Sequence, residues 1–402
     1  MLWGLATFVG LVGCESAPPI PALPELTRAG RVVLGSPRLT GGIPGKGPLK
    51  RAEVEAWLAD PKNHEPLEFV LPLSLRLGGN DVQLPTDQAL TRAKIELGRQ
   101  LYFDSRLAGP SNMSCSHCHH PTAGYSRWMV MPVINRNVSA GFNRILSREQ
   151  FWDGRVDSLE EQIEHPLTNK YEMHNTVPDA VRQIEAVEGY RLQFERIYGG
   201  VTFTAITQAI SCFERALVTG PSPFDFEEVV RRSAEHSAET FGELEQSELE
   251  EARRGMNEFP LSENARRGRD LFFSDRTHCA TCHSGPNFTD EQYHAVGLPP
   301  ISSKAAADTG RFAVTGREED RDAYKTPTLR NVAQTPPYMH AGQLETLEEV
   351  VAWFNQPKAA TPHVSPLLMP LGLSSGDQRD LVEFLRSLTG PLPPVETGRL
   401  PE

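Results

Sequence analysis

Two stretches of the same form decide the fold of this chain: Cys115-Ser116-His117-Cys118-His119 and Cys279-Ala280-Thr281-Cys282-His283. A C-x-x-C pair followed directly by His is the attachment signal of c-type haem. Two thiols add across the vinyl groups on one porphyrin edge, and the next residue places an imidazole under the iron. A zinc site built from both cysteine pairs is the alternative, but it leaves each following His unexplained. The sequence therefore predicts two covalently bound c-type haems, with His119 and His283 as axial iron ligands.

A helix is expected before each motif. Ala93, Leu97 and Leu101 recur every four residues before the first motif, which predicts one apolar helix face. The stretch 97–104 is weakly repeated as 267–274 before the second motif. Further helices are predicted after the capping-box patterns that begin at Ser158 and Thr346, over 203–217, and along an apolar stripe over 381–388. Strand-like alternation is almost absent. These patterns indicate a mostly α fold with two haem domains in tandem.

Composition excludes some classes of protein. The chain has 402 residues, of which 39% are hydrophobic and 23% charged, and a net charge of −12. That balance argues against a nucleic-acid partner and is compatible with a basic protein partner. No apolar run approaches the roughly 18 residues of a membrane-spanning helix, so contact with a membrane is expected only through a lipid anchor. The 33 prolines and 32 glycines predict long ordered loops.

The start of the chain is expected to direct export, because haem attachment of this kind occurs outside the bacterial cytoplasm. Residues 1–13 are apolar, and Leu11-Val12-Gly13-Cys14 fits a lipoprotein cleavage box with Cys14 as the lipidated residue. No Lys or Arg precedes this stretch, although a signal peptide ordinarily carries one there, so a periplasmic protein without the anchor is the alternative. A Pro- and Gly-rich tether is predicted from Ser16 to Pro48.

These observations divide the chain into five parts. We expect a signal or lipoprotein leader at 1–14 and a tether with an N-terminal extension at 15–90. A first haem domain at 91–250, a second haem domain at 251–392 and a tail at 393–402 follow.

Several separate stretches carry a family resemblance over roughly residues 90 to 390. They are Phe151-Trp152-Asp153-Gly154-Arg155, Leu159-Glu160-Glu161-Gln162, Glu172-Met173, Phe213-Glu214-Arg215-Ala216-Leu217, Thr326-Pro327-Thr328-Leu329-Arg330-Asn331-Val332, Pro337-Tyr338-Met339-His340 and 381–390. With the two motifs, they make the sequence similar to the bacterial di-haem cytochrome c peroxidases, a superfamily that includes the MauG-like enzyme that matures methylamine dehydrogenase. The resemblance implies two cytochrome c-like domains with facing haems, the first peroxidatic and the second for electron transfer.

The resemblance also implies roles for particular residues. Gln162 and Glu172 match the distal-pocket pair of the family. Cleavage of peroxide requires a proton to move between its two oxygens, and a carboxyl group can carry it while an amide orients the peroxide. Trp152 matches the tryptophan that lies between the haems and offers an electron path.

A calcium site at the domain boundary is implied as well. Asn137 matches its side-chain ligand, with backbone oxygens near Thr335 and Pro337, and oxygen ligands suit a hard cation.

This sequence departs from the family pattern in two places. Family members that need reductive activation carry a distal histidine in the loop after the first motif, but 121–135 contains none. We therefore expect a first haem that is five-coordinate or water-bound, with methionine ligation from this loop as the alternative. The residue fourteen after His340 is the second haem's distal ligand in the family, Met or Tyr. Here it is Phe354, which cannot bind iron, and Met369 is the candidate replacement.

Three functions are compatible with these features. The first is a di-haem peroxidase that reduces hydrogen peroxide to water with electrons from a small cytochrome c or copper protein. The second is a MauG-like oxidase that modifies Trp or Tyr of a partner protein, toward which the two departures lean. The third, a non-catalytic electron-transfer cytochrome, has no use for Gln162 with Glu172. Relatives are often homodimers.

Overall fold

A computed structural model describes residues 31–76, 82–85, 88–127, 136–235, 246–299, 308–358 and 362–402. The predicted leader with Cys14 lies outside the described residues, and so do Trp128, Met129 and Met131 of the loop after the first motif. None of the helices in the described ranges is long and apolar enough to span a bilayer.

The fold is mostly helical, with four two-residue strands in the described part of the chain. In chain order the elements are β1 Val32–Val33, α1 Pro37–Thr40, α2 Arg51–Ala59, β2 Phe69–Val70, α3 Leu73–Arg76, α4 Arg92–Phe103, α5 Leu159–Thr168, α6 Val177–Glu185, α7 Glu188–Tyr198, α8 Phe203–Ala216, α9 Pro223–Glu235, α10 Gln246–Glu258, α11 Glu263–Phe272, α12 Cys279–Cys282, β3 Tyr293–His294, α13 Phe312–Thr315, β4 Tyr324–Lys325, α14 Leu347–Asn355 and α15 Ser375–Ser387. Strand β1 pairs with β2 in parallel, and β3 pairs with β4 in antiparallel.

Helices α4 and α8 cross tightly in the first domain. Thr91 caps α4 by accepting a hydrogen bond from the Lys94 backbone N–H. The crossing is possible because Gly98 lacks a side chain: a Cβ at this position would lie 1.9 Å from the Ala209 carbonyl oxygen. The two helices bury one large apolar core that includes Leu97, Leu101, Ile210 and Phe213. This arrangement places the first C-x-x-C-H motif directly after α4.

The second domain repeats this arrangement, as the sequence repeat predicted. Helices α11 and α15 cross at Gly268, where a Cβ would lie 1.9 Å from the Asp380 carbonyl oxygen. Their core is lined by aromatic rings, with Phe384 fully buried against Phe272 and Phe288. The predicted helices are present, with Ser158 and Thr346 as N-caps of α5 and α14. The expected fold class, two tandem cytochrome c-type domains, is therefore confirmed.

Polar contacts fix the two domains to each other. The Lys325 backbone N–H donates to the Trp152 carbonyl oxygen at 2.8 Å. Arg136, from the first domain, forms a bidentate hydrogen bond with Asp308 of the second and also contacts Asp153. Such hydrogen-bonded charge pairs at a buried boundary hold a defined geometry better than exposed ion pairs do. These contacts therefore define how the two domains meet around the space between them.

The predicted tether is wrong for its described part, 31–48. Leu34 and Leu39 belong to the core of the first domain, and β1 pairs with β2. The segment carries enough apolar side chains to be buried, which the Pro and Gly content concealed. Residues 393–402, predicted as a tail, also pack against the first domain.

Residues 391–402, which we call the 391–402 segment and which include this predicted tail, make largely buried contacts. The Arg99 side chain donates to the carbonyl oxygens of Glu396 and Arg399. The Arg399 guanidinium in turn contacts Glu53 at 2.8 Å, and the Leu49 N–H donates to the Leu400 carbonyl oxygen. The first domain is thus completed by residues that follow the second domain in the chain.

Candidate active site

A cavity of about 760 Å³ lies between the domains and is lined by both C-x-x-C-H motifs. The four motif cysteines are free of disulfides, as thioether formation with a haem requires. The predicted iron ligands His119 and His283 line the same cavity. The fold thus brings all six motif side chains that were expected to hold the haems to one enclosed space.

Each ligand histidine is oriented by a backbone carbonyl. His119 Nδ1 lies 3.0 Å from the Tyr125 carbonyl oxygen, and His283 Nδ1 lies 3.0 Å from the Phe288 carbonyl oxygen. A hydrogen bond at Nδ1 fixes the tautomer and leaves Nε2 for iron. Burial lowers the pKa of both imidazoles, which favours the neutral form that a metal binds.

The charges that line the cavity also fit haem. Arg144 lines it and donates to Gln150 Oε1, while no carboxylate forms a salt bridge with Arg144 among the described residues. Lys325 is 6% exposed and forms an ion pair with Glu291, and burial lowers its pKa to about 8. A buried cation without an ion pair is costly, so Arg144, whose pKa is lowered by burial, suits the haem propionates, which are carboxylates. The residues present therefore fit the group.

Gln162 and Glu172 line the cavity on the side of the first motif. Gln162 lies on α5, and Glu172 lies in the turn after it. Asn169 Nδ2 donates to Glu172 Oε1 at 2.6 Å. Burial raises the pKa of Glu172, while Asn169 and Arg155 lower it in part. A carboxyl group of raised pKa in a cavity is a candidate for acid–base work.

Trp152 is held at the domain boundary by its side chain and its backbone. Its indole N–H donates to the Asn137 carbonyl oxygen at 2.8 Å, and its own carbonyl oxygen accepts from Lys325. The indole lines the cavity that both motifs share. The structure therefore places Trp152 in the wall of this cavity at the boundary between the two domains.

Asn137 has some of the features expected of a cation ligand. Its Nδ2 lies 2.5 Å from the Pro337 carbonyl oxygen. Its Oδ1 is buried and has no hydrogen-bond partner among the described residues. The structure thus brings Asn137 and Pro337 together with an unpaired buried oxygen. Thr335, the third predicted residue, lines the same cavity, and its hydroxyl donates to the Val332 carbonyl oxygen.

Phe354 and Met369 both line the cavity, which the second motif shares. Phe354 lies on α14, and the loop that carries Met369 is fixed to the end of that helix. The Asn355 side chain exchanges two hydrogen bonds with the backbone of Leu373, and the Asn355 carbonyl oxygen accepts from the Leu371 N–H. Met369 itself is 48% exposed, so its thioether lies at the mouth of the cavity.

Sequence reasoning missed several residues of the site. The carbonyl oxygens of Tyr125 and Phe288 orient the ligands, but any residue type has a carbonyl, so no sequence signal could have found them. Arg144 and Lys325 carry no motif of their own. Glu214 belongs to the family stretch 213–217, and the signal that could have singled it out is its place beside the apolar positions of this helix.

Comparisons with known proteins identify this architecture. The sequence profile of the family described as di-haem cytochrome c peroxidase matches residues 92–232, and the cytochrome c profile matches residues 265–389. The methylamine utilization protein MauG of Methylorubrum extorquens is 32% identical over 328 residues, which cover 79% of this chain and 84% of that protein. The chain belongs to the di-haem cytochrome c peroxidase family.

Other family members are similar to the same extent. Cytochrome c551 peroxidase of Pseudomonas aeruginosa is 31% identical over 331 residues, covering 78% of this chain and 84% of that protein. A crystal structure of a MauG-like protein associated with microbial copper homeostasis has a TM-score of 0.65 and 26% identity, covering 77% of this chain and 93% of that one. This di-haem protein is accordingly an oxidoreductase of the peroxidase type, and the family carries two c-type haems.

Proposed function

We propose that this protein reduces hydrogen peroxide to water in the first domain, using electrons that a small redox protein delivers through the second. The observation that carries the proposal is the position of Glu172 and Gln162 in the cavity of His119. An electron-transfer cytochrome needs neither group there. The other support is the similarity to named peroxidases.

The reaction consumes one peroxide, two protons and two electrons and yields two waters. The haem, when bound, supplies the iron at which peroxide is reduced. Glu172, as the carboxylate, takes a proton from one peroxide oxygen and returns it to the other, so that the departing oxygen leaves as water. The Gln162 amide orients the peroxide by hydrogen bonding. A positioned group of this kind contributes typically about 10²- to 10⁴-fold in rate.

Trp152 is the proposed electron relay, because its indole is fixed between the domains. The donor is proposed to be a small cytochrome c or a copper protein. A basic donor surface would be attracted to this chain, whose net charge is −12. At high salt, we expect the rate of donor oxidation to fall while the affinity for peroxide stays unchanged.

One experiment tests the proposal directly. Peroxide is added to the purified di-haem protein with and without a reduced cytochrome c donor, and peroxide loss and donor oxidation are followed together. Steady turnover with two donors oxidised per peroxide is expected. A protein that does not react with peroxide at all would contradict the proposal.

A MauG-like oxidation of Trp or Tyr on a partner protein is the second candidate, and a specific observation favours it. Phe354 stands where peroxidases of the family carry a ligand, and 121–135 has no histidine. The similarity to MauG agrees with this. In the same experiment, an oxidised state that outlives added donor and decays only with a specific protein would favour this function over the first.

The ligation of the two irons is part of the proposal. The first haem is proposed to be five-coordinate or water-bound, and Met369 is proposed as sixth ligand of the second. Low-temperature electron paramagnetic resonance of the resting protein tests both, since a low-spin first haem would contradict the first statement. A second-haem signal unchanged in Met369→Ala would contradict the other.

A calcium ion at Asn137 and Pro337 is proposed on the unpaired Oδ1 of Asn137. Metal analysis of the purified protein before and after chelation, with Asn137→Ala as the variant, tests this. We also propose a periplasmic location, with a lipid anchor on Cys14, and a homodimer. Mass spectrometry of the mature chain tests the anchor, and light scattering tests the oligomeric state.

A further inference from the structure

One half-buried carboxyl group in the haem cavity has no role in the reaction described above. Glu214 lies on α8 and lines the cavity near Cys115. Its Oε2 is buried and has no hydrogen-bond partner among the described residues. An unpaired carboxylate in such a place is costly, so its presence calls for a physical reason.

The repeat between the two domains shows what this position ordinarily holds. Gly98 is in contact with the Phe213 Cβ and Gly268 with the Phe384 Cβ, each at 2.9 Å from the position a glycine Cβ would take. The residue after each phenylalanine is therefore equivalent in the two domains. In the second domain it is Leu385, which is 7% exposed and also lines the cavity. The first domain has a carboxyl group where the second has an apolar side chain.

Arg215 and Arg144 both lower the pKa of Glu214, but neither forms an ion pair with it among the described residues, and the effect of burial outweighs theirs. Arg215, next to it on α8, is paired with Glu160 of α5 through both terminal nitrogens. Arg144 donates to Gln150 Oε1 and to the Glu149 carbonyl oxygen.

Two further ionisable groups act on Glu214 from α4 and the first motif. They are the buried hydroxyl of Tyr102, which donates to the His119 carbonyl oxygen, and the Cys115 sulfur, which a thioether bond makes neutral. Burial raises the pKa of Glu214 to about 7.

We propose that Glu214 is a redox-linked proton site of the first haem. When the haem iron accepts one electron, the Glu214 carboxylate accepts one proton, so that the charge inside the first domain stays constant. In the oxidised protein the carboxylate balances the positive charge of the ferric haem, which lowers its proton affinity. Reduction removes that positive charge, and the carboxyl group then holds its proton. Leu385 gives the second haem no such coupling.

This inference rests on the presence of two haems and not on peroxide as the substrate. It can fail while the peroxidase proposal holds, and the reverse is also true. To test the inference, the midpoint potential of each haem is measured as a function of pH by spectroelectrochemistry of the di-haem protein. The second haem is an internal control in the same sample.

The potential of the first haem is expected to fall as pH rises through the neutral range, because alkaline solution opposes proton uptake. One proton per electron gives about 59 mV per pH unit, since one unit is a tenfold change in proton activity. In Glu214→Gln and Glu214→Leu this slope is expected to vanish, and the potential above neutral pH is expected to exceed the wild-type value.

A slope that persists in Glu214→Gln would overturn the proposal and assign the proton to another group, such as a haem propionate. A wild-type first haem whose potential is independent of pH between 6 and 8 would overturn it as well. Should the variants lose haem, the reduced-minus-oxidised infrared spectrum of the wild-type protein decides instead. A protonated carboxyl band must appear on reduction of the first haem, and its absence would contradict the proposal.

Discussion

Replacement of Glu172 by Gln separates proton transfer from packing. The amide has the size and shape of the carboxyl group, and its oxygen can still accept the Asn169 hydrogen bond that Glu172 Oε1 receives at 2.6 Å. What it cannot do is carry a proton between the two peroxide oxygens. We therefore expect peroxide turnover to fall about 10²- to 10⁴-fold, the usual contribution of a positioned acid–base group. At about 1.36 kcal/mol for each tenfold change, the barrier rises by roughly 3–5 kcal/mol.

The accompanying loss of stability is much smaller. A hydrogen bond to a charged acceptor contributes about 1.5–3 kcal/mol and a neutral one about 0.5–1.5, so the weaker bond costs about 1 kcal/mol. Loss of the buried charge, whose cost is seen in the raised pKa of Glu172, offsets part of this, and the free energy of unfolding is expected to fall by less than about 1 kcal/mol. Because the rate effect exceeds this severalfold, a folded and haem-loaded variant with very low activity is the expected result.

The assay is steady-state peroxide reduction with a reduced cytochrome c donor, at equal haem content. Glu164→Gln is the matched control, since Glu164 is an exposed residue of the same helix that carries Gln162. It should keep wild-type turnover. The reasoning is refuted if Glu172→Gln retains activity within threefold of wild type while Glu164→Gln behaves normally.

Three further substitutions have defined outcomes. Asn169→Ala removes a hydrogen bond that lowers the pKa of Glu172. At low pH Glu172 is protonated and cannot take a proton from peroxide, so the acid limb of the pH–activity profile should move to higher pH. A limb that stays in place would show that another group causes it. Trp152→Phe should slow electron transfer from the second haem to the first in stopped-flow measurements and lose about 1 kcal/mol of stability with its hydrogen bond. Unchanged transfer would remove Trp152 from the path. In the Met369→Ala background, Phe354→Met should restore a thioether ligand to the second haem and raise its potential, and an unchanged potential and spectrum would show that residue 354 does not face the iron.

The haem attachment and the helices were readable from the sequence because each depends on local spacing. Two thiols and an imidazole must stand at fixed intervals to meet one porphyrin, and α4 and α15 show their apolar faces at helical intervals. Gly98 and Gly268 mark the two crossings, but their meaning depends on Ala209 and Asp380, which are distant in the chain.

The parts of the site that depend on distant contacts could not be predicted in this way. The unpaired Oδ1 of Asn137 and the unpaired Oε2 of Glu214 depend on what surrounds each group, and a sequence does not give the surroundings. The prediction of a tether was wrong for 31–48 for a related reason. The Pro and Gly content does not show whether apolar residues between them, such as Leu34 and Leu39, pack into a core.

The position of the 391–402 segment has a consequence for how this molecule is made. Arg99 is 0% exposed, and its acceptors include the carbonyl oxygens of Glu396 and Arg399. During synthesis those acceptors emerge only after the whole second domain. Until they emerge, the Arg99 guanidinium can pair only with Glu96 of its own helix among the acceptors that it contacts in the folded protein. A fragment ending near residue 250 would stay in that unfinished condition.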